Sequence, residues 1–236
     1  MLEPFRLRVT ADGVGTLGAV KARVELVNRA QPAPPDDDLP TPWAWYRGDD
    51  LEGLQEDDEV TSWLDRAGGA GDAEGQNPPK YTADAVGGQP GVSGSGSLFS
   101  SFATLGSADT AIAVVIGAVS GNSSAAGLDN PPEAGFKLVW DTEEILLVVP
   151  GGSLEDYSGV SANTLLVGIR DGDDVSIWVD GVKIADGLAS GVNLASELSI
   201  QLAGFHTAAE FMYWNRALTP VEVGQVWAYA QDRYGL

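Results

Sequence analysis

The sequence has no cysteine and only one histidine among its 236 residues. The absence of cysteine excludes disulfide bonds, zinc–thiolate sites and thiol nucleophiles. The single histidine, His206, disfavours catalytic triads and multi-histidine metal sites, and its place beside Phe205 favours a structural role. Packing of apolar side chains must therefore hold the fold together.

Basic residues are also scarce, because 13 Lys and Arg stand against 34 Asp and Glu, which gives a formal net charge of −21. Binding to nucleic acid requires Lys and Arg side chains that displace the cations condensed on the phosphates. We therefore expect no nucleic-acid partner. The many carboxylates could hold Ca²⁺, although a solvated acidic surface is the simpler interpretation for any given Asp.

Long apolar runs are absent. The N-terminal segment MLEPFRLRVTADG has charged residues where a signal peptide needs an apolar stretch, and no segment is long enough to cross a bilayer. These features predict a protein that is made in the cytoplasm without a signal peptide and does not insert into a membrane.

Glycine and proline are abundant instead, with 30 and 13 residues. Their spread without a fixed period favours many short strands joined by turns, and hence an all-β fold. Residues 68–92 are interpreted as a long glycine-rich loop. Several apolar runs lack a polar face, as inner strands of a two-sheet sandwich would. The strands predicted in the second half are residues 110–119, 135–141, 144–150, 164–170, 174–181, 197–205 and 209–215.

Charge divides the chain into parts. Residues 1–30 have a formal charge of about +2 and the remainder about −23. Alternating apolar residues around an Asp12-Gly13 turn predict a β-hairpin-like arm over residues 1–28. Residues 29–42 contain five prolines and three consecutive aspartates, which predict an extended, semi-rigid linker before a body that spans residues 43–236. The candidate docking residues of the arm are Arg6, Arg8, Lys21 and Arg23.

The C-terminal segment contains a helix signal. Thr219 is a typical N-cap residue, Pro220 suits the first helical position, and Glu222 completes a capping box. We expect a helix from residue 220 to about residue 232 that packs on the sandwich. The residues predicted to face the sandwich are Val223, Val226, Trp227 and Ala230.

An Asp-rich segment, Asp171-Gly172-Asp173-Asp174, lies between two alternating runs. Asp-Gly in this setting is a strong signal for a β-hairpin turn. The same carboxylates are a candidate Ca²⁺ site, formed by Asp171, Asp173 and Asp174, with Asp49 and Asp50 as a second possibility. The turn itself already explains these aspartates, because hairpin turns favour Asp.

The body contains two distinctive motifs, DVSIWVDGVKIADG and AEFMYWNRALTPVEVGQVWAYAQDRYGL, and three less specific ones, WYRGDDLEGL, VTSWLDRAGGAGDA and PPKYTADAVGGQPGV. In these motifs and their order the body resembles the laminin-G-like branch of the concanavalin A-like lectin/glucanase superfamily, which occurs in bacterial and phage surface proteins. The resemblance implies a jelly-roll of two packed antiparallel sheets with a C-terminal helix, preceded here by the small N-terminal β arm.

The residues do not favour catalysis. Glucanases of the superfamily carry their acids on one strand in a Glu-x-Asp-x-Glu or Glu-x-Asp-x-x-Glu pattern, at the spacing that two-carboxylate hydrolysis requires. Here Glu56-Asp57-Asp58-Glu59-Val60-Thr61 supplies Glu-x-Asp but neither later Glu. We therefore predict that the protein is not an enzyme. A glucan hydrolase with an unrecognised site ranks third, after the two non-enzymatic interpretations given below.

Sugar binding requires aromatic faces for stacking and polar groups for the hydroxyls. Most of the seven tryptophans lie in strand or helix contexts that favour the core. Trp140, Asp141 and Trp178 are the candidates for carbohydrate binding, because a strand end that faces a loop can expose an indole.

Taken as a whole, the chain is predicted to be a phage virion surface protein, either a capsid decoration or a fibre-type component, present in multiple copies or as a homo-oligomer. Its arm would dock on a capsid or tail protein, and its body would bind host glycans. No cofactor is expected, with Ca²⁺ as a possible bound ion. The alternative is a free carbohydrate-binding module or a bacterial surface adhesin, located outside the cell or at its surface.

Overall fold

The computed structural model describes residues 8–10, 23–25, 39–101, 109–121, 123–129, 135–149, 152–156, 159–189 and 197–236. The chain divides into two compact units, Met1–Pro34 and Pro35–Leu236. None of the helices in the described ranges has the length and apolar character needed to cross a membrane.

The first unit contains a two-stranded antiparallel ladder. Strand β1 (Arg8–Thr10) pairs with strand β2 (Arg23–Glu25), with Arg8 opposite Glu25 and Thr10 opposite Arg23. Two of the candidate docking residues, Arg8 and Arg23, therefore lie on paired strands, whereas Arg6 and Lys21 lie outside the described residues.

The second unit is a sandwich of two antiparallel sheets, as predicted. One sheet has the strand order β13-β12-β11-β10-β17-β8-β5-β4, and the other has the order β16-β15-β14-β9-β18-β7-β6, with β3 also paired to β18. The strands are β3 (Ala44–Arg47), β4 (Ser62–Trp63), β5 (Ala73–Asn77), β6 (Lys80–Val86), β7 (Gln89–Ser93), β8 (Gly96–Ser101), β9 (Thr110–Ile116), β10 (Ser124–Asp129), β11 (Lys137–Trp140), β12 (Ile145–Val149), β13 (Gly152–Asp156), β14 (Thr164–Asp171), β15 (Asp174–Val179), β16 (Val182–Leu188), β17 (Glu197–Leu202) and β18 (Thr207–Trp214).

The second sheet is covered on both faces, which explains its continuous apolar strands. Every residue of β9 is buried. Ile112 and Val114 point into the core between the sheets, whereas Ala113 and Val115 point to the outer face and belong to a second apolar cluster. The C-terminal helix covers part of that outer face, including the face of β9.

Helix α1 (Pro220–Tyr234) starts at the predicted residue and runs slightly beyond residue 232. The Thr219 side chain accepts a hydrogen bond from the Glu222 N–H, and the helix ends at Gly235 in the left-handed region with φ 68°. Of the predicted face, Val223, Val226 and Ala230 are buried, whereas Trp227 is half-buried; Tyr229 and Tyr234 complete the buried face.

The expectation of a long loop over residues 68–92 is wrong, because this segment contains β5, β6 and β7. Glycines in these strands mark close backbone approaches instead of turns. A Cβ atom on Gly75 would lie 2.0 Å from the Ser97 carbonyl oxygen, and one on Gly91 would lie 2.2 Å from the Ala208 carbonyl oxygen.

The sandwich begins earlier than the predicted boundary at residue 43. Leu39 is buried in the apolar cluster beneath α1, and the Pro40 carbonyl accepts a hydrogen bond of 2.9 Å from the Trp214 indole N–H. The last residues of the predicted linker therefore pack on the sandwich.

Candidate functional site

A groove of about 360 Å³ lies on the outer face of the second sheet. Helix α1 covers this face only in part, and the groove lies where the helix begins, between Leu218 and Pro220 on one side and the β15–β16 hairpin on the other. Ile169 also contributes apolar lining. The polar and aromatic residues that line it are Asp171, Asp174, Ser176, Trp178, Lys183 and Asp186.

Strand alternation places these side chains on one face. Val175 and Ile177 of β15 are buried in the core between the sheets, so the intervening residues Asp174, Ser176 and Trp178 point outward. Trp178 is half-buried, and its indole N–H donates a hydrogen bond of 3.0 Å to the Ser176 hydroxyl. This bond fixes the ring at the groove wall. A register shift against β16 occurs between Ile177 and Trp178, and such bulges often re-aim a side chain beside a binding site.

The groove is predominantly acidic. Three carboxylates, those of Asp171, Asp174 and Asp186, line it together with a single ammonium group, that of Lys183. The Lys183 Nζ lies 3.2 Å from Asp186 Oδ1, so one of the carboxylates is already paired. The groove lining thus combines several hydrogen-bond acceptors with one aromatic ring.

The predicted calcium site is not formed. Asp171 and Asp174 are opposite each other across the hairpin, and Gly172 takes the left-handed conformation with φ 62° that the turn requires. This geometry satisfies the turn but does not converge the three carboxylates on one point. In the part of the chain that the structure describes, no group of three His, Cys, Asp or Glu side chains could hold a metal ion.

The alternative pair, Asp49 and Asp50, is bound by arginines. The Asp49 carboxylate accepts hydrogen bonds from Arg47 and lies 2.8 Å from Arg233 Nη2, whereas Asp50 accepts from Arg66 Nη1 at 2.6 Å. Burial opposes ionisation of Asp49, but the Arg47 and Arg233 guanidinium groups outweigh it and lower the pKa of Asp49 to about 2. These carboxylates are neutralised by protein cations.

Trp140 and Asp141 do not present a sugar-stacking surface, so this part of the prediction is corrected. The Trp140 indole is fully buried and lies against His206, with ring centroids 6.4 Å apart. Asp141 accepts hydrogen bonds from the Glu143 and Glu144 N–H groups and from the Ser123 hydroxyl. Burial opposes ionisation of Asp141, but these hydrogen bonds lower its pKa overall. Asp141 closes a turn.

An exposed aromatic side chain does lie at this end of the sandwich, but it is Phe205, which is 85% exposed. The sequence pattern extended a strand to residue 205, whereas β17 ends at Leu202 and Phe205 lies in the turn before β18. The sequence did contain a signal for this exposed aromatic residue, because Phe205 directly follows Gly204, and turns normally carry polar residues at such positions.

The buried carboxylates are occupied by structural hydrogen bonds. Asp65 is almost completely buried and accepts four backbone N–H bonds, which organise its glycine-rich loop; the donors are Trp45, Ala67, Ala70 and Gly71. Glu210 is also buried and accepts from Trp45 Nε1 and from the hydroxyls of Tyr229 and Tyr234. Neither carboxylate faces the groove.

No protein-family model matches the chain, and no curated protein matches it. Solved structures with a similar fold include the receptor binding domain of botulinum neurotoxin mosaic serotype C/D, with a TM-score of 0.61, 10% identity, and coverage of 80% of this chain and 51% of that chain. The binding domain of botulinum neurotoxin DC in complex with SialylT has a TM-score of 0.56, 10% identity, and coverage of 73% and 51%. A Trypanosoma rangeli sialidase has a TM-score of 0.55, 16% identity, and coverage of 81% and 33%.

At these identities the comparisons establish the β-sandwich fold alone. The chain spans about half the length of the neurotoxin domains and a third of the sialidase.

Proposed function

We propose that the second unit is a non-enzymatic glycan-binding domain of the concanavalin A-like, laminin-G-like type, and that the groove beside Trp178 holds the sugar. The observation that carries the proposal is the position of a half-buried, fixed indole among several hydrogen-bond acceptors in an open groove. The C–H face of a sugar ring packs on the indole, and its hydroxyls donate to the carboxylates. The neurotoxin domain solved with SialylT and the sialidase solved with 2,3-difluorosialic acid support a sugar as the class of ligand, and the choice between neutral and acidic sugars rests on the charge of the groove.

The charge of the groove favours uncharged glycans. Three carboxylates face one lysine, and that lysine is already paired with Asp186. A carboxylated sugar would meet like charges at close range, which weakens binding. The preferred ligand is therefore a neutral glycan.

The setting proposed for the whole chain is the surface of a phage virion, as a capsid decoration or a fibre-type component. The support is the charge contrast between the basic N-terminal segment and the acidic sandwich, together with the Pro/Asp-rich linker between them. The arm docks on a capsid or tail protein by strand pairing or charge, and the sandwich is displayed. Many copies on one particle strengthen weak glycan binding through avidity.

The glycan proposal is tested with the full chain on an array of neutral and acidic glycans, followed by titration calorimetry of the strongest ligand. Trp178→Ala should remove the binding component that belongs to the groove, whereas Val221→Ala, a truncation of a 74% exposed side chain next to the groove lining, should bind as the wild type does. Equal binding by Trp178→Ala and wild type would refute the groove. Release of reducing ends from β-glucans would refute the non-enzymatic assignment.

The docking proposal is tested by removing residues 1–34, which leaves Leu39 and Pro40 in place on the sandwich. The truncated protein should fold, bind the same glycans and fail to attach to particles. Attachment that persists after this deletion would show that the arm is not the anchor.

A further inference from the structure

Phe205 lies at the tip of the turn between β17 and β18, at one end of the sandwich. A single exposed apolar side chain has no functional meaning by itself. What distinguishes Phe205 is the rigidity of its support. Gly204 takes the left-handed conformation with φ 61°, and the His206 N–H donates a hydrogen bond of 3.3 Å to the Ala203 carbonyl within the turn.

Side chains from two neighbouring loops and from the start of β10 bind the same turn from outside. The hydroxyls of Ser124, Ser95 and Ser120 accept hydrogen bonds from the N–H groups of Ala203, Gly204 and Phe205, at 2.9, 3.0 and 3.4 Å. The imidazole Nε2 of His206 lies 2.9 Å from the Ser120 carbonyl oxygen, which anchors the turn from beneath. Consecutive backbone positions are thus bonded to two other parts of the chain, one at Ser95 and one that carries Ser120 and Ser124.

This arrangement pre-organises the backbone that carries the phenyl ring. A ligand that stacks on the ring then has only the side chain, and not the turn, to immobilise. Ser95 and Ser120 accept from the turn through oxygen, so each hydroxyl keeps its own O–H to donate. A ring with flanking hydroxyl donors is the combination that recognises a saccharide.

We propose that Phe205 is the centre of a second sugar-stacking site, specific for neutral sugars and separate from the groove at Trp178. It shares only the ligand class with the proposed groove site. Trp178 lies on β15, three strands away from β18 in the same sheet and level with Met212, whereas Phe205 precedes Thr207 at the end of β18. Three strand spacings and five residues of strand rise separate the two side chains by roughly 20 Å.

The surroundings of Phe205 favour a sugar over a lipid surface or an apolar protein patch. In the part of the chain that the structure describes, the other exposed large apolar side chains lie on β16 and α1. A membrane or an apolar interface would need a wider apolar area around the ring. The loop of Asp141, Glu143 and Glu144 adjoins the turn, because Trp140, the residue before it, lies against His206. These carboxylates favour a neutral sugar over an acidic one.

The test is site-resolved NMR of the full chain with ring-labelled phenylalanine, titrated with maltose, lactose and cellobiose, and separately with phosphatidylcholine vesicles. The Phe205 signal, assigned by its loss in Phe205→Leu, should shift saturably with at least one of the sugars and not with vesicles. The shift should persist in Trp178→Ala, which separates this site from the groove. No sugar-dependent shift, or a shift with vesicles alone, overturns the proposal.

Substitutions then distinguish ring stacking from simple apolar contact. Phe205→Tyr should retain the affinity measured by calorimetry in the Trp178→Ala background, whereas Phe205→Leu should weaken it by about 2- to 10-fold, as loss of one aromatic contact predicts. Val221→Ala is the matched control, because it truncates another exposed apolar side chain and should change nothing. Equal affinity of Phe205→Leu and wild type at this site contradicts stacking.

Discussion

The hydroxyl of Tyr234, the last residue of α1, donates a hydrogen bond of 2.5 Å to Glu210 Oε2 in the middle of β18. Tyr229, one and a half turns earlier, donates to both oxygens of the same carboxylate, and Trp45 Nε1 of β3 also donates to it. One buried carboxylate therefore connects the C-terminal helix to the sheet and to the first strand of the sandwich. The end of the chain is fixed by this contact.

Replacing Glu210 by Gln should destabilise the sandwich. The amide keeps the volume but offers a single acceptor oxygen where three side chains donate, so at least one buried donor loses its partner. The expected loss is about 1–3 kcal/mol of unfolding free energy, measured by urea denaturation. Glu52→Gln, at an exposed position, is the control and should be neutral. Equal midpoints for Glu210→Gln and wild type would contradict the structural role of this carboxylate.

The Glu210 carboxylate should also make the stability of the fold depend on pH. Burial raises the pKa of Glu210 above its ordinary value of 4.5, and hydrogen bonds from Tyr234 and Trp45 and the charges of Arg47 and Arg233 only partly offset this. Above pH 4.5 the unfolded chain releases this proton while the folded protein still binds it. The stability advantage of wild type over Glu210→Gln should therefore decrease as pH rises from 4.5 through the folded pKa. A constant difference across this window would contradict the raised pKa.

Glu222, in the first turn of α1, should make stability depend on pH in the opposite direction. Hydrogen bonds from Arg216 to Glu222, despite an opposing effect of burial, lower the pKa of Glu222 to about 2. Stability from this carboxylate is thus present above its ordinary pKa of 4.5 and is lost as pH falls towards 2. Glu222→Gln should remove this acid-side dependence in thermal melts at pH 2 to 5. If the melting temperatures of Glu222→Gln and wild type fall equally over this pH range, the ion pair between Arg216 and Glu222 does not contribute to stability.

Thr219 caps the same helix, and its loss should be measurable at neutral pH. The hydroxyl accepts from the Glu222 N–H at 3.3 Å, and an alanine leaves that N–H without its cap. Thr219→Ala should cost about 1 kcal/mol, and Thr219→Ser should restore most of it. A Thr219→Ala protein as stable as wild type would mean that packing alone sets the helix start.

The fold was predictable where local patterns report on packing. The alternation of residues along β11 also predicts that Trp140 is buried, because Trp140 lies two residues after Leu138 and therefore on the same, buried face. The strands in residues 68–92 were missed because a glycine is read as a turn residue, and the backbone that approaches Gly91 comes from β18, far away in sequence. The groove depends on where α1 begins over the sheet, and the exposure of Phe205 depends on neighbouring loops; both are long-range relationships that no local pattern contains.

The close approach at Gly91 makes its own prediction. A Cβ atom there would overlap the Ala208 carbonyl oxygen, so Gly91→Ala must separate β7 from β18 and should cost about 1–3 kcal/mol. Gly224, in the exposed part of α1, has no atom within 4 Å of its Cβ position. Gly224→Ala is the matched control, and it should stabilise the protein by up to about 1 kcal/mol, because alanine favours a helix. The free energies of unfolding of both variants can be measured by chemical denaturation. If Gly91→Ala is as stable as wild type, the two strands accommodate the added Cβ atom without cost.

The acidic groove should discriminate between a neutral glycan and the same glycan carrying a carboxylate. The added charge would face Asp171 and Asp174, with Lys183 already paired to Asp186. At about 4 Å in water such a repulsion is worth about 1 kcal/mol, or several-fold in affinity, and it is screened by salt. Calorimetry should therefore show weaker binding of the carboxylated form at low ionic strength. The difference in affinity between the two glycans should become smaller in high salt, and also in the Asp174→Asn variant. Tighter binding of the carboxylated form at low salt would contradict the proposed neutral specificity, since no arrangement of these side chains offers it a free cation within the groove lining.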